Sequence, residues 1–134
     1  LLTLDINIMN LLADKAKQDK LFHDFLFEII DMSRHEIKLS VAAANAITIL
    51  KYAKVSFSKM DFSEIKIPGA DLSRAILDST NFQSANLQGV LFNGAWLYRV
   101  NFLNADLRGA YFGEEKYINI KDDMINSCSY FPPS

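Results

Sequence analysis

The sequence is short of cysteine, of long apolar runs and of net charge, and each shortage removes a class of protein. A single cysteine, Cys128, occurs among the 134 residues, so no disulfide can form within the chain. No run of 18 apolar residues is present, so the sequence predicts no membrane-spanning helix. The 14 Lys and Arg residues nearly balance 16 Asp and Glu residues, and the net charge of −2 provides no overall field that would favour nucleic acid or an anionic membrane.

The two ends of the sequence indicate a piece of a longer protein. The first residue is Leu1 rather than Met, and the opening LLTLDINIMN lacks the basic start of a signal peptide. The single cysteine favours a reducing compartment, so we expect a cytoplasmic location.

Residues 1–54 are predicted to be helical. The segment LFHDFLFEIID has apolar residues at steps of one and four, which form one broad apolar stripe. The segment INIMNLLADKAKQD precedes it, and RHEIKLSVAAANAITILKYAK follows it and is apolar on most sides, as is typical of a helix buried between two layers. Asn45 in this last segment is expected to bond a neighbouring backbone group. Polar joints at KQDK and MSRH separate three helices, and no proline precedes Pro68 to interrupt them.

From Val55 the apolar period changes to five, which belongs to neither a helix nor a single strand. Large apolar residues recur at twelve centre positions, namely Phe57, Phe62, Ile67, Leu72, Leu77, Phe82, Leu87, Phe92, Leu97, Phe102, Leu107 and Phe112. Two residues before each centre, eleven of the twelve residues are apolar and most are small. Inward positions therefore alternate in steps of two and three, so each five residues form a short strand-like edge followed by a corner.

The corners and the order of the centres predict how the chain coils. Glycine occurs at four corners, where a positive φ is often needed, namely Gly69, Gly89, Gly94 and Gly109. Pro68 and Gly69 fit the two central positions of a type II turn. From Leu77 onward the centres alternate between Leu and Phe. In a coil of four edges each centre stacks on the centre 20 residues further on, so Leu stacks on Leu and Phe on Phe. In a coil of three edges, Leu would stack on Phe. We therefore predict three coils, about 4.8 Å apart.

These repeats carry a family resemblance. The stretches GADLSRA, SANLQGV and NADLRGA resemble the A-(D/N)-L-x-x repeats of the pentapeptide-repeat proteins. The resemblance covers residues 55–114 and implies a right-handed, four-sided β-helix. The sequence departs from the family pattern, which usually has Asp, Asn or a small polar residue, at Lys66, Ile76, Leu91, Trp96 and Tyr111. The expected fold is of the α+β class, in which an N-terminal three-helix segment caps a three-coil right-handed quadrilateral β-helix.

A looser resemblance concerns the flanking segments. FLFEII and AAANAITILKYAKVSFSKMDFSEIKIPGADLS are similar to the helical-plus-pentapeptide region of large NTPase-type proteins that continue into WD repeats. The tail MINSCSYFPPS is similar to the opening strand of a WD repeat, although Pro133-Ser134 replaces the usual Asp-Gly. The expected domains are a helical segment and cap at 1–54, twelve pentapeptide repeats at 55–114, and a tail at 115–134 that begins a WD-repeat domain.

The sequence offers no arrangement typical of an enzyme or of a metal site. His23, His35 and Cys128 lie in separate segments without metal-ligand spacing, and no G-x-x-x-x-G-K-[ST] phosphate loop occurs. We expect Asn81 to stack on Asn101 as an amide ladder. Three acids precede repeat centres, where a short side chain bonds the amides of the turn, namely Asp61, Asp71 and Asp106. We therefore expect no catalytic residue, no cofactor and no metal.

The expected function is that of a non-enzymatic structural and protein-interaction module, which joins an upstream regulatory or NTPase part to a downstream WD-repeat propeller in a larger protein. The alternative is a free-standing binding protein of the gyrase-inhibitor or effector kind. Mimicry of DNA needs a strongly negative surface, whereas residues 55–114 carry six acids against five bases. We expect no nucleic-acid partner and no membrane contact.

A candidate interaction surface follows from the register, in which the residue before each centre points outward. Ile76 and Trp96 occupy this position on one edge, Leu91 and Tyr111 occupy it on the adjoining edge, and Tyr98 projects nearby. A contiguous apolar patch marks contact with a partner, and Trp and Tyr are common anchors. The predicted partner is another domain of the parent or a second copy, with Trp96 as the anchor. The alternative is that the N-terminal helices or the segment KYINI cover this corner.

Overall fold

The computed structural model describes residues 5–113, which form a helical segment followed by a coil of repeats. Helix α1 spans Ile6–Gln18, α2 spans Lys20–Met32, a short 3-10 helix spans Ile37–Leu39, and α3 spans Ser40–Tyr52. The prediction of three helices is confirmed. None of the helices in the described residues is long and apolar enough to cross a membrane. The predicted WD-like tail at 115–134 lies outside the described residues.

The joints between the helices differ from the predicted ones. A single residue, Asp19, separates α1 from α2, and its carboxylate accepts hydrogen bonds from the N–H groups of Leu21 and Phe22 at the start of α2. The third helix begins at Ser40, later than expected, because the Glu36 carboxylate accepts from the Lys38 N–H and caps the 3-10 turn instead.

Helix α3 lies against both α1 and α2 and carries most of the buried residues of the helical segment. Ile47 and Leu50 are completely buried. Small residues on the same helix let its neighbours approach closely, namely Ala43, Ala44 and Ala46. The all-round apolar pattern of this segment therefore correctly predicts a buried helix.

The coil segment is joined by backbone pairs 20 residues apart. Within residues 5–113 no strand extends beyond an isolated bridge, and every bridge is parallel. The Phe62 N–H donates to the Asn81 carbonyl at 2.7 Å, and the Asn81 N–H donates back to the Met60 carbonyl at 2.9 Å. The same reciprocal pattern recurs along the segment, so four five-residue edges make up one coil, as the stacking argument requires.

Every corner of the coil has a residue with positive φ. Four of these residues are the predicted glycines, but eight are not glycine, namely Lys54, Lys59, Glu64, Arg74, Ser79, Ser84, Arg99 and Asn104. The turn at Pro68-Gly69 has φ 75° at Gly69 and a hydrogen bond of 3.1 Å from the Ala70 N–H to the Ile67 carbonyl, as expected for the predicted turn. A non-glycine residue in this conformation costs on the order of 1 kcal/mol, so the coil tolerates strain at its corners.

The predicted inward residues form the core of the coil. Eleven of the twelve centres are buried and Leu97 is partly buried. Phe82 lies between Phe62 and Phe102 with ring-centroid distances of 5.8 and 5.9 Å, so like residues stack on like. Thr80 is the polar exception among the small inward residues, and its hydroxyl donates to the Phe57 carbonyl at 2.8 Å.

Truncation of the central ring tests this register. Phe82 is completely buried, so Phe82→Ala should lower the free energy of unfolding by about 3–5 kcal/mol. Gln83 is exposed, so Gln83→Ala should change it by less than about 0.5 kcal/mol. The urea midpoints of the two variants measure the difference, and similar midpoints would contradict the register.

Candidate functional site

The outward aromatic residues lie on one side of the coil, which we call the Trp96 side and define as residues 54–59, 74–79 and 94–99. Ile76 and Trp96 form a parallel bridge between successive coils. The exposed fraction is 62% for Trp96 and 68% for Tyr98, and Ile76 is also exposed. Large apolar side chains thus project from a hydrogen-bonded backbone and are open to solvent.

The other two predicted patch residues lie on the adjoining side. Leu91 and Tyr111 form their own parallel bridge, and both are exposed. The corner between the two sides is formed by Arg74 and Gly94. A Cβ atom at Gly94 would lie 3.0 Å from the Arg74 Cγ atom, so the absence of a side chain leaves room for Arg74 to lie against this corner.

Two contacts fix the position of Tyr98. Its N–H donates to the Asp78 carboxylate at 3.1 Å, which links the second and third coils. The Arg99 guanidinium lies 5.1 Å from the centroid of the Tyr98 ring, within the range of a cation–π interaction. The phenol ring is therefore presented next to a positive charge.

A polar cluster lies where α3 meets the first coil. The Lys51 ammonium is 3.3 Å from the Asp71 carboxylate, and these side chains are only 10% and 21% exposed. Ser73 donates to the same carboxylate through its hydroxyl at 2.6 Å and its N–H at 3.0 Å, and the Tyr52 hydroxyl donates at 3.2 Å. The Lys51 ammonium also lies 3.7 Å from the centroid of the Tyr52 ring.

The surroundings shift the pKa values of this cluster. Burial lowers the pKa of Lys51, and the attraction of Asp71 only partly opposes this change. Burial acts to raise the pKa of Asp71, but the Ser73 hydrogen bonds and the Lys51 charge outweigh it, so that the pKa lies below its usual value. Burial, followed by the negative charge of Asp71, raises the pKa of Tyr52. The cluster thus favours a charged Asp71 and a protonated Tyr52.

Two hydroxyls from the helices bond backbone groups of the first coil. In the second and third coils, the N–H group of the residue before a centre donates to a carbonyl of the coil below, as the Asn86 N–H does to the Ile65 carbonyl. In the first coil the Lys66 N–H donates to the Ser33 hydroxyl at 3.0 Å, and the Asp71 N–H donates to the Thr48 hydroxyl at 3.1 Å. Sequence reasoning missed both hydroxyls. The available signal was a polar residue within each apolar segment.

The Lys66 side chain makes further contacts with the helices. Its ammonium donates to the Ser33 and Arg34 carbonyls at 3.1 and 2.6 Å. Arg34 in turn donates to the Asp61 carbonyl at 2.6 Å and forms an ion pair with Asp31 at 3.0 Å. The departure of Lys66 from the family pattern is therefore explained by a contact between the helices and the coil.

The predicted structural acids and amides have the expected local contacts. The Asp61 carboxylate accepts from the Ser63 N–H at 3.0 Å, and the hydrogen bonds from Ser63 hold the pKa of Asp61 below its usual value. The Asn101 amide donates to the Asn81 amide oxygen at 3.1 Å, which confirms the ladder. Asn45 differs from expectation, because its buried side-chain oxygen has no hydrogen-bond donor in the described residues.

The described residues also contain a cavity between α2 and the first coil. Its volume is about 570 Å³, and its lining includes His23, Phe27, Arg34, Met60 and Asp61. Across residues 5–113, no group of three or more His, Cys, Asp or Glu side chains is arranged to hold a metal ion. His23 contacts Asp24 at 3.1 Å and the Phe27 ring at 5.1 Å, and Cys128 lies outside the described residues.

A coil of five-residue repeats with polar ladders and outward aromatics is the class of structure that these observations define. The family model described as pentapeptide repeats matches residues 56–94 and 85–113, with 8 copies, and thereby confirms the predicted repeats in this segment. The match covers the coil and leaves the helices outside it. No curated protein and no solved structure matches the chain.

Removal of one charge tests the polar cluster. Asn occupies the position of Asp71 in other repeats and accepts the same turn N–H, so Asp71→Asn should remove the charge and keep the turn. Because Lys51 would lose its counter-ion in a poorly solvated place, we expect a loss of about 3 kcal/mol at pH 7. Asp106→Asn, at the same repeat position but in an exposed ion pair, should cost less than about 1 kcal/mol.

The stability of the original chain and of Asp71→Asn should depend differently on pH. The folded pKa of Asp71 lies below the unfolded value of 3.8, so its contribution is complete above that value and is lost as the pH falls through the folded pKa. Urea unfolding between pH 7 and pH 2 should therefore show a smaller loss of stability for Asp71→Asn than for the original chain. Parallel pH profiles for the two proteins would contradict this role.

Proposed function

We propose that this chain is a non-enzymatic protein-interaction module that presents the Trp96 side to a protein partner. The main support is the exposure of Trp96 and Tyr98, whose side chains are both more than half open to solvent. Their backbone is held by hydrogen bonds to the neighbouring coil. A backbone that is ordered before binding loses less conformational freedom in a complex. Aromatic residues on a rigid support are therefore suited to act as interface anchors.

The adjoining residues support a surface larger than one side chain. Ile76 stands below Trp96, while Leu91 and Tyr111 stand on the other side of the Arg74 corner. All five are exposed, although most repeats have small or polar residues in the equivalent outward positions. An exposed apolar group of this extent is typical of a surface that contacts another protein.

The helical segment would serve as the cap of the first coil. A coil without a neighbour leaves backbone N–H groups and inward side chains open, and these groups promote aggregation. The hydroxyls of Ser33 and Thr48 accept two such N–H groups, and the Phe27 ring lies 6.3 Å from the Phe57 ring at the base of the coil. These contacts support the predicted capping role, which follows from the need to cover the open end of a β-helix.

The wider setting of the module is also a proposal. The looser resemblance of the helices and the tail led us to expect a parent protein in which this module joins an upstream regulatory or NTPase part to a downstream WD-repeat propeller. The partner surface would then belong to another domain of that parent or to a second copy of the chain. A cytoplasmic location fits such a parent and the single cysteine.

Replacement of the proposed anchor tests the interaction surface. Trp96→Ser should leave the circular dichroism spectrum and the melting temperature nearly unchanged, because the residue lies outside the core. Loss of an aromatic anchor typically costs about 2 kcal/mol or more, so association should weaken about 30-fold. Sedimentation velocity measures self-association, and a binding titration measures association with the neighbouring parent domains. Gln83→Ser, on another side, is the control, and equal association of both variants would refute the proposal.

Paired substitutions test the cap. Ser33→Ala and Thr48→Val each remove the acceptor for a coil N–H with little change of shape, so each should cost about 1–3 kcal/mol in the free energy of unfolding. Ser40→Ala is the matched control, since its hydroxyl bonds only the Ile37 carbonyl of its own turn. If all three variants have the same urea midpoint, the hydroxyls do not close the coil.

A further inference from the structure

Charge is divided between the sides of the coil in a way that the chain total hides. The Trp96 side carries four cations and one carboxylate, Asp78, which leaves a net charge of +3. The remaining described coil residues, 60–73, 80–93 and 100–113, carry four carboxylates and two cations, which leaves −2. The cations of the Trp96 side are Lys54, Lys59, Arg74 and Arg99. One side of a nearly neutral coil is therefore distinctly positive.

The four cations of the Trp96 side differ in their partners from Lys51 and from the other two cations of the coil, Lys66 and Arg108. Lys51, Lys66 and Arg108 bond carboxylates or carbonyls of the described residues. By contrast, Lys54, Lys59, Arg74 and Arg99 lie within ion-pair distance of no carboxylate across residues 5–113. All four are exposed. Their charge is therefore available to a group outside the coil.

The four cations all occupy corners of the coil that border the Trp96 side. All four cations occupy corner positions with positive φ, although neither Lys nor Arg favours this conformation. The corners away from the Trp96 side are occupied by glycine, by Ser84 and Asn104, or by the acidic Glu64. Every cationic corner of the coil thus borders the Trp96 side, and the exposed apolar residues lie between these corners.

A recess at the base of this side brings the two kinds of group together. Its volume is about 430 Å³, and its lining includes Lys54, Arg74, Ser73 and Ile76. A carboxylate placed there would lie beside the Lys54 and Arg74 cations, with the apolar Ile76 alongside. Ile76 in this lining is bridged to Trp96 in the next coil.

From the charge and the apolar groups together, we propose that the Trp96 side binds an acidic segment of a partner protein. Carboxylates of the segment lie against the corner cations, and its apolar side chains lie against Ile76 and Trp96. This inference rests on the proposed function and adds the chemistry of the partner. A protein segment is favoured over nucleic acid because the aliphatic side chains of Ile76 and Leu91, which are exposed, have no counterpart in a phosphate backbone.

A quenching experiment tests the local field before any ligand is added. Trp96 is the single tryptophan of the chain, so its fluorescence reports this side alone. Relative to their quenching of free N-acetyltryptophanamide, iodide should quench Trp96 at least about twofold more efficiently than caesium at equal ionic strength, because neighbouring cations attract the anion. The Arg74→Ser, Arg99→Ser double variant should lose this preference. Equal quenching by the two ions in the original chain would overturn the proposal.

A binding titration tests the chemistry of the partner. The probe is a short peptide that alternates Glu with Leu, and Trp96 fluorescence is the signal. We expect saturable binding that weakens about tenfold or more between low and physiological salt, and no binding by the peptide with Lys in place of Glu. An oligothymidylate of equal length is the second probe. Tighter binding of the oligothymidylate, or no binding of the Glu-Leu peptide, would overturn the proposal.

Matched variants assign the binding to the corner cations. Ser79 and Ser84 already occupy corners with φ near 60°, so serine should preserve the corner backbone. Arg74→Ser with Arg99→Ser should weaken peptide binding at least tenfold, whereas Arg108→Ser, on another side, should change it less than twofold. Melting temperatures verify that each variant folds. Equal effects from the double variant and from Arg108→Ser would overturn the assignment.

The outcomes separate this inference from the proposed function. If Trp96→Ser weakens association of the chain with its partner but the double arginine variant does not, the Trp96 side is an interface and the acidic chemistry is wrong. If neither variant weakens association, both proposals fail. If both variants weaken it, the partner carries the negative charge that the inference requires.

Discussion

The structure of the coil depends on one constraint, a left-handed backbone conformation at every fifth residue. This conformation turns the chain so that the next inward pair again faces the interior, and four such turns bring the chain back above its starting point. Coil-to-coil hydrogen bonds then pair residues 20 positions apart, as in the bridge between Asp61 and Asn81. Glycine satisfies the constraint without strain, but Lys, Arg, Ser, Asn and Glu satisfy it at eight corners. Stacked neighbours must therefore compensate the strain.

Because every coil is supported by its neighbour, the ends of the stack need a substitute for the missing coil. At the first coil, two backbone N–H groups donate to hydroxyls of different helices, Ser33 at the end of α2 and Thr48 within α3. Each hydroxyl donates to a carbonyl of its own helix while it accepts from the coil. The buried pair of Lys51 and Asp71 adds a charged contact at the same junction. The helices and the coil are thus joined by polar groups as well as by apolar packing.

The sequence predicts the coil well because its register is periodic. A pattern of five places Phe82 between Phe62 and Phe102 and identifies Asn81 and Asn101 as a ladder, since every repeat obeys the same geometry. The contacts between helices and coil could not be predicted in this way, because they depend on how non-periodic segments meet. The candidate surface was predictable from its departures from the repeat, whereas its charge was hidden in the total. Grouping the corner residues by side would have revealed it from the sequence.

Inward positions are constrained by packing and corner positions are not, which explains how the Trp96 side can carry charged residues. Inward positions are fixed by stacking, so a change at Phe82 affects the whole coil. Corner residues point to solvent and need only adopt a positive φ, so Lys54, Arg74 and Arg99 can replace Ser or Gly without repacking the core. The apolar residues Ile76 and Trp96 are an independent departure, because exposure gives them no packing benefit. Strained cations and exposed apolar residues on the same side are both unfavourable for the isolated coil, and a partner that is acidic and apolar would offset both.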